Sequence, residues 1–514
     1  DSDETSQIFS SDNQIENETL RDYLSMGDNI DFSGRLLYRK KLGNRLRQTF
    51  TLEGTLNSSV EDFMADNNSE ITDYPNDPVL KMTEILLQNQ IQNDDQTDYR
   101  IQSSYVRPIA SSKFLEFKYI RQNYNSEVIR DVFDVINGDR FENIDLSSHY
   151  IRNYSYDRLS TSLHLNSEKT QLTVEAAIQN STLDGDIISE GEKVNTEIFR
   201  FLPRIRARYE IGPSHHIRFN YTTDVREPSL TQLQPITDNS DPQNVYIGNP
   251  DLVPEYRHSI RLNYLNYDQF TFSSFFGFIN ASYTKNKITE QTIKEPGVQI
   301  RQSVNVDYDF NINGTLSYST PIRPLKIKTD IRTRLGYQKS LVFINDIQNN
   351  LDRYTGNMRL SIENRKKDVI DWLLGGTWGY NINNYSDTET ANQAYYNQTL
   401  FADLNYNYKN KLALNSGIDV NFYSEEAFGE ALTIPILKAS ISAYFLKDQR
   451  GEFKLSAFDL LNKNVGISRS SNLNYIENTE IVSLGRYYML SFIYSIKAAG
   501  GNENQNRSNF RMRR

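Results

Sequence analysis

Residues 303–319, SVNVDYDFNINGTLSYS, alternate without a break. Val304, Val306, Tyr308, Phe310, Ile312, Gly314, Leu316 and Tyr318 form one series; Ser303, Asn305, Asp307, Asp309, Asn311, Asn313, Thr315 and Ser317 form the other. A period of two puts the two series on opposite faces of a β-strand. At roughly 3.3 Å per residue the strand is about 50 Å long, against about 5–6 residues for the usual strand of a soluble domain. Few environments call for so long a ribbon, apolar on one face and rich in Asn and Asp on the other.

The same grammar recurs along the chain. After the turn TPIRP come Leu325, Ile327, Ile331, Leu335 and Tyr337 against Lys326, Lys328, Asp330, Arg332 and Arg334. Tyr354, Met358, Leu360 and Ile362 lead through RKKD to Ile370, Trp372, Leu374, Trp378 and Tyr380, and Leu400, Leu404, Tyr406 and Tyr408 lead through KNK to Leu412, Leu414, Ile418, Val420 and Phe422. Earlier, Ile205, Tyr209 and Ile211 alternate with Arg204, Arg206 and Arg208. Short connectors such as KLGN, IGPSHH, NYDQ and KDQRG take turns with long ones near 60–98, 125–149, 182–195, 223–255 and 461–484. Short turns on one rim and long loops on the other are the layout of an outer-membrane barrel, with the periplasm at the short end. Closure also satisfies the backbone in lipid, where an open sheet edge would leave amides unpaired.

Composition agrees once alternation is allowed for. The mean hydropathy of −0.63 and net charge of −10 suit a hydrophilic protein, but alternation halves the apolar signal of a membrane strand. The 33 Tyr and 26 Phe are too many for disorder and suit membrane–water boundaries. No run reaches the ~18 apolar residues of a spanning helix, which leaves strands. Cysteine is absent, so disulfides and thiol chemistry are excluded.

The expected fold is therefore all-β, a transmembrane antiparallel barrel with about nineteen strands visible. Residues 1–28 read as an extracellular loop or linker, 29–497 as the barrel, and 498–514 as a basic periplasmic tail. The closing strand RYYMLSFIYSI, with Tyr488, Leu490, Phe492, Tyr494 and Ile496 on one face, should descend to the periplasm. Counting rims backward, the first strand also descends, so about three earlier strands of an even-numbered barrel are expected in sequence ahead of this chain. Soluble β-sandwiches or a propeller also alternate, but have shorter strands and a blade-sized repeat.

Residues 226–264 carry the most specific signal: REPSLTQLQPITDNSDPQNVYIGNPDLVPEYRHSIRLNY. Pro228, Ser229, Gln232, Leu233, Gly248, Asn249, Pro250, Leu252, Pro254 and Glu255 resemble the signature of TonB-dependent outer-membrane receptor barrels, in the branch common in Bacteroidota. FLKDQRGEFKLSAFDLLNKNVGISRS and the closing strand resemble that branch as well. The resemblance implies a barrel of about 22 strands with an N-terminal plug inside, outer-membrane lipid around it, and TonB or other periplasmic or outer-membrane proteins as partners. It implies active uptake of a nutrient such as a siderophore, haem, a glycan or a peptide. The alternative is a non-transporting barrel that serves as scaffold or assembly subunit of a larger outer-membrane complex. Plug and TonB-box are not in this chain. The tail residues Arg507, Arg511, Arg513 and Arg514 read as a solvated end or as a contact for an acidic periplasmic partner.

Other chemistry finds little support. DYDFNING has the outline of a calcium loop, but Gly314 falls two places late and Tyr318 stands where the closing Glu is needed. His149, His164, His215, His216 and His258 lack metal-ligand spacing, so no metal and no cofactor is expected. No nucleophile elbow, zinc helix or phosphate loop occurs in its required context, and neither catalysis nor nucleic-acid binding is expected. The cation rows Arg204/Arg206/Arg208 and Lys326/Lys328/Arg332/Arg334 are expected to pair with acidic rows such as Asp307/Asp309, or else to meet a plug or an anionic ligand. Tyr246, Tyr385, Tyr395 and Tyr396 could stack on a ligand ring or belong to an interface belt.

Overall fold

The computed structural model describes residues 2–495 except 10–14, 44–47, 75–80, 190, 234–236, 239–243, 296–297, 345–346, 368, 387–391, 410, 425–430, 447–448, 465, 472–475 and 482–484. The first strands are β1 Ser2–Phe9, β2 Ile15–Leu42, β3 Gln48–Asp73, β4 Met82–Ala110, β5 Lys113–Ile136, β6 Asp139–Glu142, β7 Ser148–Asn166, β8 Thr170–Ile187, β9 Glu192–Gly212 and β10 His215–Arg226. A one-turn helix, α1 Leu230–Leu233, and two short strands, β11 Thr237–Asp238 and β12 Asn244–Ile247, interrupt the series. It resumes with β13 Glu255–Asp268, β14 Ser273–Glu295, β15 Val298–Ile322, β16 Ile327–Ile344, β17 Ile347–Asn364, β18 Ile370–Tyr385, β19 Gln393–Tyr408, β20 Leu412–Tyr423, β21 Leu432–Phe445, β22 Gly451–Phe458, β23 Gly466–Ser471, β24 Ile476–Ile481 and β25 Tyr487–Tyr494.

One antiparallel wall of a β-barrel runs through β1–β5, β7–β10, β13–β22 and β25, each strand hydrogen-bonded to the next in chain order. The strands expected from sequence are those from β2 onward, and β1 is an addition. Among the described residues the strands β23 and β24 pair only with each other. Among the described residues no pairing joins β25 to β1 or β2, and no helix is long and apolar enough to cross a membrane.

The strands outrun the expected loops. Residues 17–28, read as loop or linker, are part of β2 and pair in register with 62–73. The stretch 60–98, read as a long connector, consists largely of β3 and β4, and 182–195 is a tight hairpin between β8 and β9. The physical reason is that ladder hydrogen bonds propagate whatever the side chains are. Segments such as ADNNSEITD are polar on both faces and lose the alternation that marks a strand. With 29 residues, β4 is roughly 95 Å long, well beyond an apolar band of about 25 Å even when tilted.

The two faces differ as the alternation requires. Ile312, Leu316 and Tyr318 on β15 are 36%, 51% and 43% exposed, and Leu335, Met358, Leu374 and Leu400 continue this outer apolar surface on later strands. The opposite face is polar and internally bonded. The Asn313 amide donates to Asn311 Oδ1 at 3.0 Å, and Gln338 Nε2 donates to Asp309 Oδ2 at 3.0 Å. Rings on the outer face run from strand to strand, with Tyr221, His258, Tyr283 and Tyr308 in sequence at 6.2, 6.4 and 6.3 Å between centroids. The line continues from Phe310 to Tyr337 at 6.3 Å and Tyr354 at 5.0 Å. Such a row matches the aromatic girdle of a membrane barrel.

Candidate functional site

The connector between β10 and β13 folds inward over the polar face at the end of the wall that bears the longer connections. Pro228 is held at its carbonyl by Arg152 Nη2 at 3.0 Å. The Ser229 N–H donates to Gln232 Oε1 at 2.9 Å, and the Gln232 N–H donates to Ser229 Oγ at 3.2 Å. This reciprocal pair is a capping box, which starts α1 by satisfying two otherwise orphaned amides. One turn suffices to deliver Leu233, fully buried.

The second half of the signature returns the chain to the wall. The Asn249 N–H donates to the Gln232 carbonyl at 2.7 Å, and its side-chain amide donates to the Ser303 carbonyl at 3.0 Å. Gly248 and Pro254 are buried, Pro250 is half-buried, and Leu252 is 2% exposed. Leu233 and Leu252 pack with Tyr150, Tyr154, Leu183, Ile187 and Ile288 in one cluster. Each leucine contributes about 2–3 kcal/mol through burial. Asn305 clamps Val253 from both sides, accepting its N–H at 2.8 Å and donating to its carbonyl at 3.0 Å. Glu255 ends the motif: Oε1 accepts from Lys287 Nζ at 2.7 Å and from the Ile288 N–H at 2.9 Å. Finally, β12 adds in parallel to residues 299–302 of β15, and the Tyr246 and Ser303 hydroxyls meet at 2.8 Å.

The signature residues therefore act together as a latch. Its wall-side partners, Arg152, Ile288 and Asn305, escape sequence reading because nothing distinguishes Asn305 from Asn311 or Asn313 along the same alternating strand. The tyrosines considered for ring stacking divide. Tyr246 lies inside the latch, where burial pushes its phenol pKa up. Tyr385 is buried with Val342 and Leu351, and Tyr396 remains exposed.

The polar wall is cross-braced by charge, though not as expected. Glu175 on β8 accepts from Lys118 on β5 at 3.1 Å and from Arg204 on β9 at 3.5 Å. Lys328 reaches Asp330 and Glu363 at 3.1 and 3.4 Å, while Arg332 donates to Ser317 Oγ at 3.3 Å. Of the two acids expected to pair with these cations, Asp307 and Asp309, the second is taken by Gln338 and Ser340. Lys326 lies in the β15–β16 turn at φ 53°, outside the strand row. The Glu175 carboxylate is 9% exposed, so Glu175→Ala leaves two cations without a counter-charge. A loss of about 3 kcal/mol follows, read as a lowered urea midpoint in lipid vesicles, with Glu175→Gln less affected because it keeps an acceptor.

Tyr488, Leu490, Phe492 and Tyr494 share the outer face of β25, where Leu490 is 74% exposed and Phe492 packs on Phe453 at 5.1 Å. Ile496 and the tail residues Arg507, Arg511, Arg513 and Arg514 lie outside the described residues. The histidines are dispersed: His149 meets Glu127 at 2.7 Å, His164 meets Glu116 at 2.9 Å, and His215 meets the Tyr264 hydroxyl at 2.8 Å.

Comparison with known proteins matches residues 41–494 to the family described as "Outer membrane protein beta-barrel family". No curated protein matches the sequence. Among solved structures, the chain is similar to BauA, the ferric preacinetobactin receptor from Acinetobacter baumannii, at 9% identity and TM-score 0.39, over 92% of this chain and 79% of that one. It is similar to the FrpB iron transporter from Neisseria meningitidis at 10% identity and TM-score 0.39, over 93% and 77%. A third is the Serratia marcescens hemophore receptor HasR, at 12% identity and TM-score 0.37, over 87% and 69%. With an apolar outer face, a braced polar inner face and a family match across almost the whole wall, the chain belongs to the outer membrane β-barrel family and resides in the outer membrane.

Proposed function

We propose that this chain is the barrel of a TonB-dependent receptor that takes up a nutrient of the siderophore, haem, glycan or peptide kind. The observation that carries the proposal is the wall itself: many long antiparallel strands, apolar outside, with an inner face of paired charges and amides. A barrel of about 22 strands encloses a lumen too wide for its own side chains to fill. A plug must close it. TonB then supplies the energy that displaces the plug, and the latch holds the β10–β13 connector at the mouth.

The test is uptake in the native host, with this gene deleted, with tonB deleted, and with both deleted, across single limiting nutrients. Transport predicts one nutrient whose uptake is lost equally in all three strains. Unchanged uptake of every nutrient, together with partners that co-purify through detergent, would replace transport by a scaffold role.

A further inference from the structure

The inner face is not evenly neutralised. Arg208 on β9 stands directly opposite Arg218 on β10, and Arg206 lies across Asn220 from Arg261 on β13. Like charges facing each other across a ladder destabilise it unless a counter-charge is at hand. The acids bordering this region are already engaged: Glu210 by Arg208, Asp224 by Arg226, and Asp330 by Lys328. Among the described residues no ion pair reaches Arg206, Arg218, Arg261 or Arg334, and all four are exposed. On the rungs that join Arg261 to Arg334 this face carries neutral groups, Asn263, Asn280, Asn313 and Thr315 among them, and Asp309 farther along β15 is held by Gln338 and Ser340. Arginine forks flanked by amides are suited to planar or tetrahedral oxyanions.

We propose that this stretch of the lumenal wall, from β9 to β16, binds anions, and that the solute passing through carries carboxylate or phosphate groups. Passage of the solute rests on the transport reading; the binding of anions does not. An aqueous, low-dielectric-walled passage focuses the field of such a patch and concentrates anions near it.

The experiment uses the full-length protein purified in detergent at low ionic strength, titrated calorimetrically with citrate and separately with pyrophosphate. Binding is expected for at least one probe, weakening with added salt. The double variant Arg218→Gln/Arg261→Gln should bind about tenfold more weakly for each charge-assisted hydrogen bond removed. Arg35→Gln, which breaks a pair with Glu53 at 2.8 Å elsewhere on the wall, should bind as the parent does. Heat-dependent gel mobility verifies that each variant is folded. Absence of binding by the parent overturns the proposal, as does unchanged binding by the double variant. If the parent binds neither probe while the double variant melts at a lower temperature, an acidic polypeptide segment occupies the patch instead, and the proposal also fails. Anion binding without TonB-dependent uptake would refute the transport reading alone.

Discussion

Leu252→Asp is expected to release the β10–β13 connector from the wall while the barrel stays folded. Leu252 is 2% exposed and sits among Tyr150, Tyr154, Leu183, Ile187, Leu233 and Ile288. Truncation of such a leucine to alanine costs about 2–5 kcal/mol, and a carboxylate there has no cation in the cluster, so the aspartate costs more. The loss falls on the latch because the cluster is its main apolar anchor; the other attachments are polar and local: Arg152 to Pro228, β12 to residues 299–302, Tyr246 and Asn249 to Ser303, Asn305 to Val253, and Glu255 to Lys287. Hydrogen exchange reads the effect directly. The Asn249 amide, bonded to the Gln232 carbonyl, should lose about a hundredfold of its protection, since each tenfold corresponds to about 1.4 kcal/mol. Val253→Ala, at a side chain 37% exposed, should change protection little. Equal protection in Leu252→Asp and the parent would show that the latch is held by something other than this cluster.

A second large effect is expected on the opposite face. Leu316→Arg places a guanidinium among the outer side chains of β15, where Leu316 is 51% exposed and shares its face with Tyr318 and Ile312. If hydrocarbon covers this surface, the substitution costs about 2–4 kcal/mol near the bilayer midplane. Thr315→Arg, one residue away, points to the inner face opposite Arg334, meets water, and costs no more than the roughly 1 kcal/mol of a like-charge cross-strand pair. The two variants therefore separate sidedness from general intolerance. Urea unfolding in phospholipid vesicles should show a large shift for Leu316→Arg and a small one for Thr315→Arg.

Much of this architecture is legible from alternation alone. The turns expected at RKKD and KNK fall there, while the one expected at TPIRP lies at 323–326, because Thr320, Pro321 and Ile322 pair with Thr329, Lys328 and Ile327; the outer residues of β15 and β18 are those of the apolar series. Legibility ends where both faces turn polar. The upper part of β2, with Asn17 and Asp22, and the end of β3 look like loop because side-chain contrast, not backbone pairing, carries the sequence signal. The inner site is only half legible. The signature residues mark the latch, yet its anchors and the true partners of the cations depend on register across strands far apart in sequence, as Lys118 and Glu175 are. That register is set by ladder pairing, which a linear pattern does not encode.

Sidedness is tested most directly by accessibility, and the 514 residues of this chain hold no cysteine to compete with an introduced one. Single cysteines at Tyr308, Ile312 and Leu316, and at Asn311, Asn313 and Thr315, would each carry a spin label in the full-length protein reconstituted in lipid vesicles. The account predicts collision with oxygen dissolved in the hydrocarbon for the first set and with a water-soluble nickel chelate for the second, alternating residue by residue. Nickel access at 308, 312 and 316 with oxygen access at 311, 313 and 315 would invert the wall and contradict it.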